Sequence, residues 1–214
     1  MSLEVSIAPA GEDEALGFAL DGVFSLPDAS GDLPEADLEY TQRSGGEAVS
    51  ARFASDGETI FVEVDGERRE LSPDEIEGFR ATGDDSADSV FGALEVDRWI
   101  PDPQTDESGD EITVSGDLDV IAALNDIFEV ARSFGGASLA TIEGDEADVV
   151  RESVRSATAE ITSGAEDGLL HHLVVEIDFG VADEDVAQAL GPLAGAVFTL
   201  DLTISNVNEA VDVK

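Results

Sequence analysis

His171 and His172 stand side by side in LLHHLVVEIDFG, residues 169–180, and are the only histidines in a chain without cysteine. Imidazole serves both as a metal ligand and as a general acid or base, so an adjacent pair in an acidic protein raises both chemistries. The element that carries the pair decides between them. The stretch alternates like a β-strand, and successive strand side chains leave on opposite faces. Strict alternation puts His171 with Leu169, Leu173, Val175, Ile177 and Phe179, and His172 with Leu170, Val174, Glu176 and Asp178. Neighbours on opposite faces do not easily grip one ion. The expectation is one histidine on the apolar face, one toward solvent, and no metal site.

Other chemistry is thin. Asp84, Ser86, Asp88 and Glu95 fall at positions 1, 3, 5 and 12 of a calcium loop, but the sixth position, where the turn needs glycine, is Ser89. With this many acids such spacing arises by chance. Carboxylate pairs are everywhere and therefore point nowhere. Without cysteine there is no thiolate zinc site, disulfide or thiol nucleophile. No GxSxG, phosphate loop or dinucleotide fingerprint is present. No catalytic residue, cofactor or enzyme activity is expected.

Composition sets wider bounds. The 214 residues suit one domain or two small ones, and 42% hydrophobic residues can build a real core. No apolar run reaches the length of a membrane-spanning helix, and the opening LEVSIAPAGEDEALG lacks the form of a secretory signal. Fifty acids against ten bases give a net charge of −40, and the only lysine is Lys214. The acids are spread along the whole chain. Such a surface repels nucleic acid and anionic membranes at low salt, so no nucleic-acid partner is expected. The lysine shortage fits the solvated acidic surface of a halophilic protein. Compositional bias is the plainer alternative. Mimicry of nucleic acid would call for concentrated charge.

The elements that must position any site are mostly strands. Leu16, Phe18 and Leu20 alternate; so do Leu38 and Tyr40; Val49, Ala51 and Phe53; and Ile60, Val62 and Val64. SGG at 44–46, SDG at 55–57 and DG at 65–66 are turn chemistry, so the first 72 residues read as a meander. In SPDEIEGFR, Ser72 caps a short helix with Pro73 at its first position. Ile112 and Val114 mark another strand. From Val120 the spacing turns helical, with Leu124, Ile127, Ala131 and Phe134 on one stripe, Asp117 or Asp119 as cap and Gly135-Gly136 as stop. DEADVVRESVRSA predicts a second helix. TAEITSG, LLHHLVVEIDFG and AVFTLDLTIS close the chain as strands, with Phe198, Leu200, Leu202 and Ile204 on one face. Trp99, in EVDRWIPDP, suits a wedge between helix and sheet. The total is roughly eight strands and two or three helices: an α+β domain, its helices on one face of an antiparallel sheet.

The order of these segments resembles the LolA/LppX-like exported lipoproteins, most closely a diverged actinobacterial-type set. The phrases that carry the resemblance are LGFALDGVFSL, GDLPEADLEYT, ARFASDGETIFVEVDGERREL, SPDEIEGFR, WIPDP, ITVSGDLDVIAALNDI, SATAEITSGAEDGLLHHLVVEIDF and FTLDLTISNVNEAVDV. They span nearly the whole chain and hold no catalytic residue. The resemblance implies a single domain over 1–214: a strongly curved antiparallel sheet, shaped as a half barrel, with helices packed on its concave face and acyl chains or lipoprotein lipid anchors held between the layers. It implies an extracytoplasmic protein of the cell envelope, anchored to the membrane through a lipid. The family's signal and lipid-accepting cysteine do not fall within these 214 residues, which are expected to be trimmed from a longer chain, with residues 1–10 beginning inside the first strands. This chain is also far more acidic than the family pattern, and His171 and His172 fall where it has basic residues.

Together these give a non-enzymatic carrier or binding protein for lipid or an acylated protein. Its expected apolar wall draws on Phe18, Leu20, Phe53, Val62, Leu124, Phe128, Ile177, Phe198 and Leu200, with Leu124 and Phe128 as the roof. The alternative is a structural or protein-interaction domain of the envelope whose core is filled.

Overall fold

A computed structural model describes residues 1–9, 16–25, 33, 35–44, 47–64, 66–77, 98–133, 141–166, 168–180 and 193–205. Eleven strands form one sheet in which every pairing is antiparallel. They are β1 (Ser2–Pro9), β2 (Leu16–Ser25), β3 (Glu35–Ser44), β4 (Glu47–Asp56), β5 (Ile60–Val64), β6 (Glu67–Glu70), β7 (Gln104–Ser108), β8 (Glu111–Asp117), β9 (Val154–Gly164), β10 (Leu170–Phe179) and β11 (Ala196–Thr203). Helices α1 (Val120–Ser133) and α2 (Asp145–Ser153) lie between β8 and β9 in sequence. Residues 73–77 are also helical.

The sheet order is β6-β5-β4-β3-β2-β1-β11-β10-β9-β8-β7. This is the order of an up-and-down barrel opened between β6 and β7. The first and last strands pair in the interior of the sheet, with Val5 opposite Leu200 and Leu3 opposite Leu202. β6 and β7 form the two edges. Every residue of both is exposed, and their sequences, ERRE and QTDES, hold no apolar side chain. Charged edges of this kind discourage further strand addition. They also explain why about eight strands are legible from alternation and eleven form: an edge strand that buries neither face leaves no period of two. β1 does alternate, with Leu3, Val5 and Ile7 on one face, and completes the count.

Local chemistry fixes the corners. Between β4 and β5, Asp56 Oδ1 accepts from the Glu58 and Thr59 N–H groups at 3.0 and 2.8 Å, and Gly57 takes φ +87°. These backbone donors hold the Asp56 carboxyl below its usual pKa. Within β2, Gly22 takes φ +147°, and a Cβ there would run into the Asp37 carbonyl of β3. Ser72 and Glu75 form a capping box: Ser72 Oγ donates to Glu75 Oε2 at 2.7 Å, and the Ser72 N–H donates to the same oxygen at 2.8 Å. Asp119 caps α1, accepting from the Ile121 and Ala122 N–H groups at 3.1 and 3.2 Å. Ala131 lies in α1, but its side chain, like Phe134 and Gly135-Gly136, falls outside the described residues.

The second helix is shorter than its sequence pattern. It ends at Ser153, and Val154 already pairs with Phe179. Ala147, Val150 and Val154 satisfy a helical stripe that Ala157 and Ile161 continue, whereas Ala157, Ala159 and Ile161 alternate as a strand, and a register shift between Ser156 and Val154 brings Val154 opposite Phe179. The neighbouring β10 edge decides for the strand.

Two clusters of buried side chains result. The larger contains Val120, Ala123 and Leu124 of α1, Val150 of α2, Trp99 and Ile100, and the strand residues Leu173, Val175, Ile177, Phe179, Phe198, Leu200 and Leu202. The smaller contains Leu33, Ile60 and Ile76, with Phe53, Val62 and Leu71 against it.

Candidate functional site: an apolar sheet face

Strand register lines up apolar residues in rows that cross the sheet. One row runs Val114–Ile161–Leu173–Leu202–Leu3–Leu20–Tyr40–Ala51–Val64, from β8 to β5. A second runs Ala159–Val175–Leu200–Val5–Phe18–Gln42–Val49. Burial is deepest in β10 and β11, where Leu173 is 1% and Leu202 4% exposed. It fades along β1 to β5. Leu3, Val5, Phe18 and Leu20 are half-buried. Tyr40 reaches 38%, Val64 43% and Val49 56%. The Phe18 and Tyr40 rings meet on this face with centroids 6.2 Å apart.

Dimensions account for the gradient. Ten gaps at about 4.8 Å make a sheet about 48 Å wide, whereas a helix with its side chains is about 10–12 Å across. α1 and α2 side by side cover at most about half of that width. Their apolar residues join the core on the β9–β11 side.

The nine residues expected to form a wall therefore divide. Leu124, Ile177, Phe198 and Leu200 are buried in the larger cluster, and Phe128 packs at its margin. Phe53 and Val62 border the smaller cluster. Phe18 and Leu20 lie between the two, on the half-buried floor. Leu3, Val5 and Ile7 of β1 extend this face and are missing from the expected wall, although their alternation is plain in SLEVSIAP. Leu16, Leu38, Tyr40, Val49 and Val64 also belong to it.

Trp99 is fully buried, and its indole N–H donates to Asp126 Oδ2 on α1 at 2.8 Å. Arg98 meets the other carboxylate oxygen at 3.3 Å. Asn125 holds the approach to α2, exchanging hydrogen bonds with the Ile142 backbone at 2.8 and 3.2 Å. The tryptophan thus sits where the sequence expects a wedge, with its polar edge satisfied.

The histidines require a correction. A β-bulge interrupts β10: Leu170 stands opposite Ser163 and His172 opposite Thr162. The extra residue shifts the alternation. Leu170 packs against the larger cluster, Leu169 is 37% exposed, and neither histidine enters the core. His171 Nδ1 lies 3.4 Å from Glu111 on β8, and His172 Nε2 lies 3.1 Å from Asp201 on β11. The two rings serve different carboxylates on opposite sides of their strand. Among the described residues no group of three or more His, Asp or Glu side chains is placed to hold a metal. The calcium-like spacing at 84–95 lies outside the described residues.

The opposite face of the sheet is polar. Thr113 and Thr162 hydroxyls bond there at 3.2 Å, and Arg52 makes two hydrogen bonds to Asp37, at 2.7 and 2.5 Å. That carboxylate raises the Arg52 pKa above its usual value. An open groove of about 610 Å³ also lies on this side, with Asp102, Asp117, Glu160 and Glu176 in its lining, and none of the nine wall residues borders it. No family model matches the chain, and no curated protein matches it.

Proposed function

We propose that this protein is a non-enzymatic carrier or binding protein for lipid-like ligands, which lays acyl chains on the apolar face of β1–β5. The observation that carries this reading is the pair of apolar rows that continue past the core into half-buried and exposed positions. In the full reading the sheet bends as a half barrel of the LolA/LppX type, α1 and α2 lie on its concave side, and the protein works in the cell envelope, tethered by a lipid anchor in its full-length form. No described helix is long and apolar enough to cross a membrane. Burying one methylene is worth about 0.8 kcal/mol, so ten of them gain about 8 kcal/mol before the cost of association. An apolar floor can therefore hold an acyl chain without any strong polar contact.

A filled-core structural or interaction domain is the second reading. It is favoured by the close burial of Leu124, Ile177, Phe198 and Leu200, four of the nine expected wall residues. Organic extraction of the purified protein, followed by mass spectrometry, separates the two. The carrier reading expects stoichiometric co-purified lipid, or stoichiometric uptake from vesicles. Neither lipid nor uptake would leave the filled-core domain standing.

A further inference from the structure

The apolar floor changes character along its length. On β3 the same face presents Ala36, Leu38, Tyr40, Gln42 and Ser44 in turn, passing from buried through half-buried to exposed. On β4 it presents Ser55, Phe53, Ala51, Val49 and Glu47, with the same trend toward the same end. On β2, Leu16 at that end is 43% exposed. Register brings the three ends together, Leu16 opposite Ser44 and Ser44 opposite Glu47. The floor thus runs out into a phenol, an amide and a hydroxyl, then a carboxylate. From Leu38 to Ser44 the strand advances about 20 Å.

Cations are scarce here. On this face of β1–β6 the described residues offer one, Arg69, and both oxygens of Glu75 hold it, at 2.8 and 2.9 Å. Arg43 leaves on the other face and pairs with Glu4 at 3.3 Å. Across the whole chain the net charge is −40.

We infer that Tyr40, Gln42 and Ser44, closed by Glu47, form the headgroup end of the acyl site and select ligands with an uncharged, hydroxyl-bearing head over ligands ending in a carboxylate. This rests on the carrier reading above and adds the ligand class to it. The side chains of Gln42 and Ser44 both donate and accept hydrogen bonds, as hydroxylated heads do. A carboxylate placed there meets no free cation among the described residues and faces Glu47 within a strongly negative field.

The test holds the acyl chain constant. A fluorescent acyl probe is displaced from the protein by monoolein or by oleate, at pH 8 and at the lowest salt that keeps the protein folded. Monoolein should displace the probe at least tenfold more effectively. Glu47→Lys, at an exposed strand end, should improve oleate at least fivefold relative to monoolein. Equal displacement by the two ligands in the wild type, or a Glu47→Lys change that moves both alike, overturns the headgroup assignment and leaves the carrier reading intact. A wild type that binds no probe overturns both.

Discussion

Asp126 is the polar residue on which the larger core turns. It is 6% exposed and receives the Trp99 indole N–H inside an otherwise apolar cluster. Asp126→Ala strands that donor, and an unpaired buried donor costs about 1–3 kcal/mol. Denaturant titrations in high salt should show a loss of this size, and a smaller one for Asp126→Asn, which keeps an acceptor. Equal losses would mean that the oxygen is not what matters. The pairing was hidden in the sequence because its partners stand 27 residues apart, although the wedge role of Trp99 was legible from its neighbours. The Ser72 cap, a local feature, could be read directly, and the structure adds its reciprocal partner Glu75. Backbone and side-chain hydrogen bonds from Ser72, helped by Arg69, lower the Glu75 pKa from 4.5 to about 2. A depressed acid stabilises the fold above its unfolded pKa and loses that contribution as pH falls through its folded one. The stability gap between the wild type and Glu75→Gln should therefore be constant above about pH 5, shrink between 4.5 and 2, and close below that. A gap independent of pH would contradict the assignment.

The bulge in β10 is the element that alternation alone misreads. A period of two carries no mark of an inserted residue, so His171 seems to share the core face with Leu173. The paired strand shows that Leu170 takes the inward place and Leu169 does not. Leu170→Asp should therefore cost more than about 2 kcal/mol, whereas Leu169→Asp should stay within about 0.5 kcal/mol, as surface changes do. Chemical denaturation of both variants decides, and the reverse order would restore strict alternation. The same logic separates legible from illegible strands. β2 to β5 and β8 to β11 each turn one side toward apolar neighbours and announce themselves. β6 and β7 bury nothing, and only their place at the edges explains them. The end of α2 could not be read either, because Val150, Val154, Ala157 and Ile161 keep a helical spacing and the strand starts through a register shift beside Val154.

At the scale of the molecule two features dominate: a charge of −40 and, among the described residues, an apolar face wider than α1 and α2. Self-repulsion on this scale weakens the compact state at low ionic strength. The Debye length falls from about 10 Å at 0.1 M salt to about 3 Å at 1 M, so the melting temperature should climb between those conditions. A flat or falling melting temperature would show the acids already balanced by local contacts, such as Arg52 on Asp37 and Arg155 on Asp178. The wide face leads to the functional claim, and Leu20 sits at its centre, opposite Leu3 on one side and Tyr40 on the other. The direct measurement is equilibrium binding of a fluorescent acyl probe, in 1 M salt, to the wild type and to Leu20→Gln. Saturable binding of one probe per chain is expected, weakened at least tenfold in a Leu20→Gln protein that still melts cooperatively. No binding by the wild type, or equal binding by both proteins, would contradict the functional claim.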